Sequence, residues 1–94
     1  MSDKNKTVKA DFQVKNTLGI HARPASLFVQ MASGFESEIS VEKDGETVNG
    51  KSLMGMLMLS AGCGSTIKVS VKGSDAEEVV RAIGQLIDRK FDEE

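Results

Sequence analysis

The sequence has no tryptophan or tyrosine, and its 94 residues include only four phenylalanines, one proline, one cysteine and one histidine. A single cysteine excludes an internal disulfide framework and a cysteine-rich metal cluster. With that cysteine and the histidine far apart, no ligand set for a metal exists, and neither metal nor cofactor is expected. Twelve basic against fourteen acidic residues leave a formal charge of −2. The pI near 5.4 lacks the basic excess of a nucleic-acid footprint, so no nucleic-acid partner is expected. The opening Met1-Ser2-Asp3-Lys4-Asn5-Lys6 is polar rather than signal-like. No apolar run reaches the roughly 18 residues that a membrane-spanning helix needs. These absences point to a reduced, cytoplasmic chain without membrane insertion.

What is present is globular in composition, with 39% hydrophobic and 28% charged residues and nine glycines, which is too apolar for a disordered chain. The length suits a single domain over residues 1–94 with one thin core, and residues 1–6 are expected to fray. A monomer is expected.

Period-two alternation of Val8, Ala10, Phe12 and Val14 with Lys9, Asp11, Gln13 and Lys15 predicts a strand with one dry face. Asn16-Thr17-Leu18-Gly19 breaks it. Pro24 fits a helix's first turn; Ala25, Phe28, Val29 and Ala32 give that helix its apolar stripe, and Gly34 stops it. Phe35, Ile39 and Val41 mark a second strand, and Asp44-Gly45 a hairpin turn into Glu46-Thr47-Val48-Asn49. The unbranched run Leu53–Leu59 predicts a short helix with Ser52 as N-cap, ended by Gly62-Cys63-Gly64. Ile67, Val69 and Val71 form another one-faced strand. Ser74-Asp75-Ala76-Glu77 has the pattern of a capping box, after which helical spacing holds from Ala76 through Phe91. The resulting order β-α-β-β-α-β-α, with every strand apolar on one side, implies an α+β fold: an open two-layer sandwich of a four-stranded antiparallel sheet with three helices on one face.

Gly19-Ile20-His21-Ala22-Arg23-Pro24-Ala25 places the only histidine where the chain enters a helix. The unmade N–H groups of a first turn attract an anion there. Arg23 adds a cation two residues on, able to fork around phosphate oxygens. An exposed imidazole at such a place has one ring lone pair free to attack phosphorus, and a phosphoramidate so formed splits one transfer into two. A lone surface histidine beside a solvated arginine is the bland reading of the same residues. Gly19 before the ring and Pro24 after it favour a built anion site.

This segment resembles the phosphohistidine motif of HPr, the family of small phosphocarriers in the bacterial phosphoenolpyruvate-dependent sugar phosphotransferase system. Asn49-Gly50-Lys51-Ser52-Leu53-Met54-Gly55 resembles the family's second motif, around a regulatory serine, and the similarity runs from about Val8 to Phe91. The resemblance implies an open-faced β-sandwich in which His21 accepts a phosphoryl group from phospho-enzyme I, on Nδ1 as pros-phosphohistidine. His21 then passes it to enzyme IIA domains, with Arg23 binding the phosphoryl oxygens. Such a chain is a stoichiometric carrier rather than an independent enzyme. The resemblance further implies phosphorylation of Ser52 by HPr kinase/phosphorylase. Leu18 and the ending Phe91-Asp92-Glu93-Glu94 look similar to nitrogen-branch relatives, whereas the second motif looks closer to sugar-branch members, so the branch stays open. The alternative function is a nitrogen-branch carrier with a mainly regulatory role, or a docking module that carries nothing.

Gly45-Glu46-Thr47-Val48-Asn49-Gly50-Lys51-Ser52 also fits the letters of a nucleotide-binding P-loop. The β-prone Thr47-Val48 pair reads instead as a hairpin's return strand, and no later strand supplies an Asp for Mg²⁺. The Leu/Met-rich helix cannot bury every side chain along one stripe. Leu53, Met54 and Leu57, with Leu27 on the flank of the preceding helix, are the expected docking residues, and the resemblance implies that partners dock between these two helices. Flexible thioethers suit a face that several partners share.

Overall fold

A computed structural model describes residues 6–93. The elements are β1 (Thr7–Gln13), α1 (Ala22–Ser33), β2 (Glu38–Lys43), β3 (Glu46–Asn49), α2 (Leu53–Met58), β4 (Thr66–Lys72) and α3 (Ala76–Asp88), followed by a single turn over Lys90–Asp92. The expected order and the two-layer α+β architecture are both present. Residues 1–5 of the expected frayed start lie outside the described residues. Lys6 is tied down, accepting a hydrogen bond from the Gly73 N–H at 2.8 Å and pairing with Glu77.

The four strands run in the order β1-β4-β2-β3, each antiparallel to its neighbours. α1 and α2 therefore each cross over one strand, in opposite directions and from strands of opposite sense. The right-handed rule for such crossovers then places both on the same face of the sheet. The register aligns the dry side chains row by row: Val8 opposite Val71, itself paired with Ile39, and Ala10 opposite Val69, itself paired with Val41. On the wet face Lys68 lies between Asp11 and Glu42, an arrangement that favours this pairing over slipped ones. The Asp44-Gly45 turn has φ of 51° and 83°, as the tight hairpin needs.

The dry face is covered by Ala25, Phe28 and Ala32 of α1, Met56 of α2, and Ala76, Val79, Ile83, Leu86 and Ile87 of α3, all buried. At about 25 cal/mol per Å² of apolar area removed from water, this layer is the main stabilising term.

Two expectations fail at α3. The helical spacing does not run on to Phe91: α3 ends at Asp88, and Lys90, Phe91 and Asp92 all take left-handed backbone, with φ of 54°, 54° and 59°. Phe91 still reaches the core, fully buried, but from a turn of the opposite hand. Nor does Ser74-Asp75-Ala76-Glu77 form a capping box. Asp75 is the N-cap residue, yet its side chain makes no cap bond. Its carboxylate reaches back to the loop between α1 and β2, accepting from the Glu36 N–H at 2.9 Å, the Ser37 N–H at 3.1 Å and the Ser37 hydroxyl. Gly73 makes the approach possible: its φ is +154°, and a Cβ there would fall 2.7 Å from Ser37 Cα.

The Ser37 hydroxyl, with the two N–H donors, holds the Asp75 carboxyl below the usual carboxylate range although partial burial acts the other way. A lowered value means stability present above the unfolded pKa of about 3.9 and lost as pH falls through the lower folded value. Asp75→Asn should therefore cost about 1–2 kcal/mol at neutral pH, seen as a lower melting temperature. The gap from the native chain should close once the pH is taken below the carboxylate range.

Candidate functional site

Beyond β1 the chain is held by Val14, whose N–H donates to Ser65 O at 2.9 Å and whose carbonyl accepts from the Gly64 N–H at 2.8 Å. It then turns sharply: the Gly19 N–H donates to Asn16 O at 3.1 Å, and Gly19 adopts φ of +72°. A Cβ at Gly19 would lie 2.6 Å from Ala61 O and 2.7 Å from Gly62 Cα, so only glycine lets these two loops meet. Directly after it, Ile20 is buried and its N–H donates to that same Ala61 carbonyl at 2.8 Å. Anchored on both sides, the backbone delivers His21 to the rim of the fold as the N-cap residue of α1.

His21 is extended, with φ −93° and ψ −163°, and caps with its backbone alone: its carbonyl accepts from the Ala25 N–H at 2.9 Å, and its side chain makes no cap bond. The imidazole is 39% exposed. Pro24 has no N–H and is buried in the first turn. The Ala22 and Arg23 N–H groups have no backbone acceptor among the described residues, so two donors at the positive end of a twelve-residue helix stay open to an anion. Arg23 is exposed and makes no ion pair among the described residues. His21, Arg23, Gly19 and Pro24 thus come together at one helix end.

Two further residues meet here that the sequence pattern does not mark. Glu93 Oε2 lies 2.7 Å from His21 Nε2, and the Asn16 side-chain amide donates to Glu93 Oε1 at 2.8 Å and to Gly19 O at 2.7 Å. Asn16 is fully buried. Neither pairing leaves a local signal: Glu93 is 72 residues from His21, and Asn16 reads as an ordinary turn residue. Cys63 is exposed on the neighbouring loop, its sulfur 3.8 Å from Lys15 O.

Ser52 caps α2 as expected, its hydroxyl oxygen accepting from the Gly55 N–H at 3.0 Å. The Gly45–Ser52 segment is hairpin and return strand, and the Lys51 ammonium donates to Phe35 O at 2.7 Å, so the P-loop letters correspond to no phosphate cradle. On α2, Leu53 and Met54 are exposed, as is Met58, which was not among the expected docking residues; Met56 is buried. Leu57 is half-buried against the core. Leu27 lines a cleft between α1 and α3 together with Met31 and Leu86. Leu18, just before Gly19, is 71% exposed. No cluster of three potential metal ligands occurs among the described residues, and no helix among them is long and apolar enough to cross a membrane.

The family model described as "PTS HPr component phosphorylation site" matches residues 8–89. The chain is similar to the HPr-like protein Crh of Halalkalibacterium halodurans, with 46% identity over 88% of this chain and 99% of that one. Similarity to the phosphocarrier protein HPr of Treponema pallidum is also 46%, over 87% of this chain and 93% of the other. Among solved structures, that of HPr-C-His from Thermoanaerobacter tengcongensis superposes with a TM-score of 0.89 at 48% identity, covering 93% of this chain and 98% of the other.

The close approach at Gly19 gives a direct test. Gly19→Ala should lose about 1–3 kcal/mol from the left-handed backbone alone, read by urea denaturation. It should also shift the amide resonances of Ile20 and Ala61, because their loops must separate.

Proposed function

Because the chain belongs to the HPr family of the phosphotransferase system, we propose that it is a phosphocarrier whose acceptor atom is His21 Nδ1. What supports this reading most is the half-exposed imidazole at a helix start where, among the described residues, two N–H groups have no backbone acceptor and the Arg23 guanidinium makes no ion pair. The Nδ1 lone pair attacks phosphorus on phospho-enzyme I. A new N–P bond forms as the donor's bond to phosphorus breaks, and the donor keeps that electron pair. The open N–H groups and Arg23 then face the phosphoryl oxygens. The reverse sequence hands the group to an enzyme IIA domain in sugar uptake. Exposure is a requirement, since donor and acceptor must reach the same atom in turn. Gly19 and Pro24 fix the backbone that carries the ring.

On this reading the chain is a stoichiometric, cytoplasmic and monomeric carrier, and it needs no cofactor. Leu53, Met54 and Leu57 of α2 and Leu27 of α1 supply the apolar part of the docking face. Ser52 is the regulatory site: a phosphate on its hydroxyl, added by HPr kinase/phosphorylase, places about two negative charges beside Leu53 and Met54. Those charges oppose an acidic partner. Equal identity to an HPr-like protein and to an HPr leaves one second reading, a docking module that carries nothing.

Incubation with phosphoenolpyruvate and enzyme I separates the two. A carrier gains one acid-labile phosphoryl group by mass spectrometry and loses it to enzyme IIA; His21→Ala gains none, and Arg23→Ala loads about tenfold more slowly. A native chain that never gains the group is a docking module. Ser52→Asp should slow loading of an otherwise normal fold, and an unchanged rate removes the regulatory role of that serine.

A further inference from the structure

We propose that Glu93 is the positioning residue of the phosphoryl site, its carboxylate fixing the proton on His21 Nε2 and so reserving the Nδ1 lone pair for phosphorus. The proposal deepens the carrier reading and rests on it for the identity of the reaction. Its geometric part stands independently.

A carboxylate offers only acceptors, so the 2.7 Å contact between Glu93 Oε2 and His21 Nε2 requires the hydrogen to sit on Nε2. Nδ1 makes no hydrogen bond among the described residues. One ring nitrogen is therefore committed and the other is left as the nucleophile, which is the division of labour that a ring needs to attack through one atom only. The carboxylate is itself held. Its second oxygen accepts from the Asn16 amide at 2.8 Å, and that amide also donates to Gly19 O at 2.7 Å. Ring, carboxylate, amide and the Gly19 turn thus form one chain of hydrogen bonds from the C-terminal segment to the loop that carries the histidine.

Two features show the fold committing itself to this arrangement at a cost. Asn16 is fully buried, and its Oδ1 has no partner among the described residues; an amide turned so that both donor hydrogens are used leaves its oxygen without one. Lys90, Phe91 and Asp92 all adopt left-handed backbone, which residues with side chains avoid. That turn ends α3 early and swings Glu93 across to α1, with buried Phe91 as its anchor. A continued helix would have carried Glu93 in another direction. The Glu93 side chain is only 14% exposed, so the contact with the ring is sheltered from water, where charge-assisted hydrogen bonds are strongest.

During transfer the Nε2 proton stays in place. Nδ1 gives its lone pair to phosphorus, the donor's bond to phosphorus breaks, and the positive charge that develops on the ring lies against the Glu93 carboxylate. Glu93 thus steadies both the attacking tautomer and the phosphorylated ring without touching phosphorus.

The test is ¹⁵N NMR of the His21 ring in the full, unphosphorylated chain, with the loading rate measured in parallel. The native chain should show one tautomer with an exchange-protected Nε2 proton. In Glu93→Ala that proton should exchange into water, the two ring nitrogens should move toward a tautomer mixture, and loading should slow about tenfold. Glu93→Gln keeps an oxygen acceptor without the charge, so it should retain the tautomer and load at an intermediate rate; it serves as the readout if the alanine variant is poorly folded. Native ring spectra in Glu93→Ala overturn the proposal, and so does slow loading without a change in the ring, which would place Glu93 in partner contact instead. A native chain that shows the protected proton but never loads sinks the carrier reading and leaves the ring assignment standing.

Discussion

The structure depends on a sheet that is dry on one side only. Because Val8, Ala10, Ile39, Val41, Ile67, Val69 and Val71 share one face, all three helices must pack there, and the opposite face goes to water with Lys68 set between Asp11 and Glu42. A single covering layer has no room to bury both ends of every helix. The start of α1 therefore emerges at the rim, where a helix's unmade N–H groups are useful rather than costly. An accessible histidine is a consequence of how thin the molecule is.

Thinness also creates a difficulty, because an exposed side chain on a small fold has little to hold it. The molecule meets this with backbone rather than bulk. Gly19 brings two loops into contact, Ile20 pins the next residue in the core, and His21 follows with hardly any freedom left in its main chain. The side chain is then oriented from the far end of the sequence through Glu93 and Asn16. Half-exposure and a fixed ring are compatible because the constraint comes from the backbone and along the Nε2 edge.

Local chemistry made most of the fold legible in the sequence. Alternation marked the strands because each has one wet face, Asp44-Gly45 marked its hairpin because few residue pairs accept left-handed backbone twice, and Ser52 marked the α2 cap because its partner is three residues away. His21, Arg23, Gly19 and Pro24 were legible for the same reason, lying within six consecutive residues. What stayed hidden was settled at a distance. Asp75 looks like part of a capping box, yet its carboxylate is claimed by a loop 39 residues earlier. Phe91 keeps helical spacing with α3, but burial of its ring is reached through a turn of the opposite hand. On α2, which of the Leu and Met side chains face outward depends on the rotation of a short helix against α1 and the sheet, and Met58 fell on the outer side.

Cys63 sits exposed on the loop whose Ala61 carbonyl receives the Ile20 N–H and whose Gly62 backbone lies against Gly19. The chain contains no other thiol. Nature has thus supplied a unique attachment point for a fluorophore or spin label on the segment that braces the histidine loop. Motion at the rim could be followed optically in the unaltered polypeptide, with no engineered cysteine required.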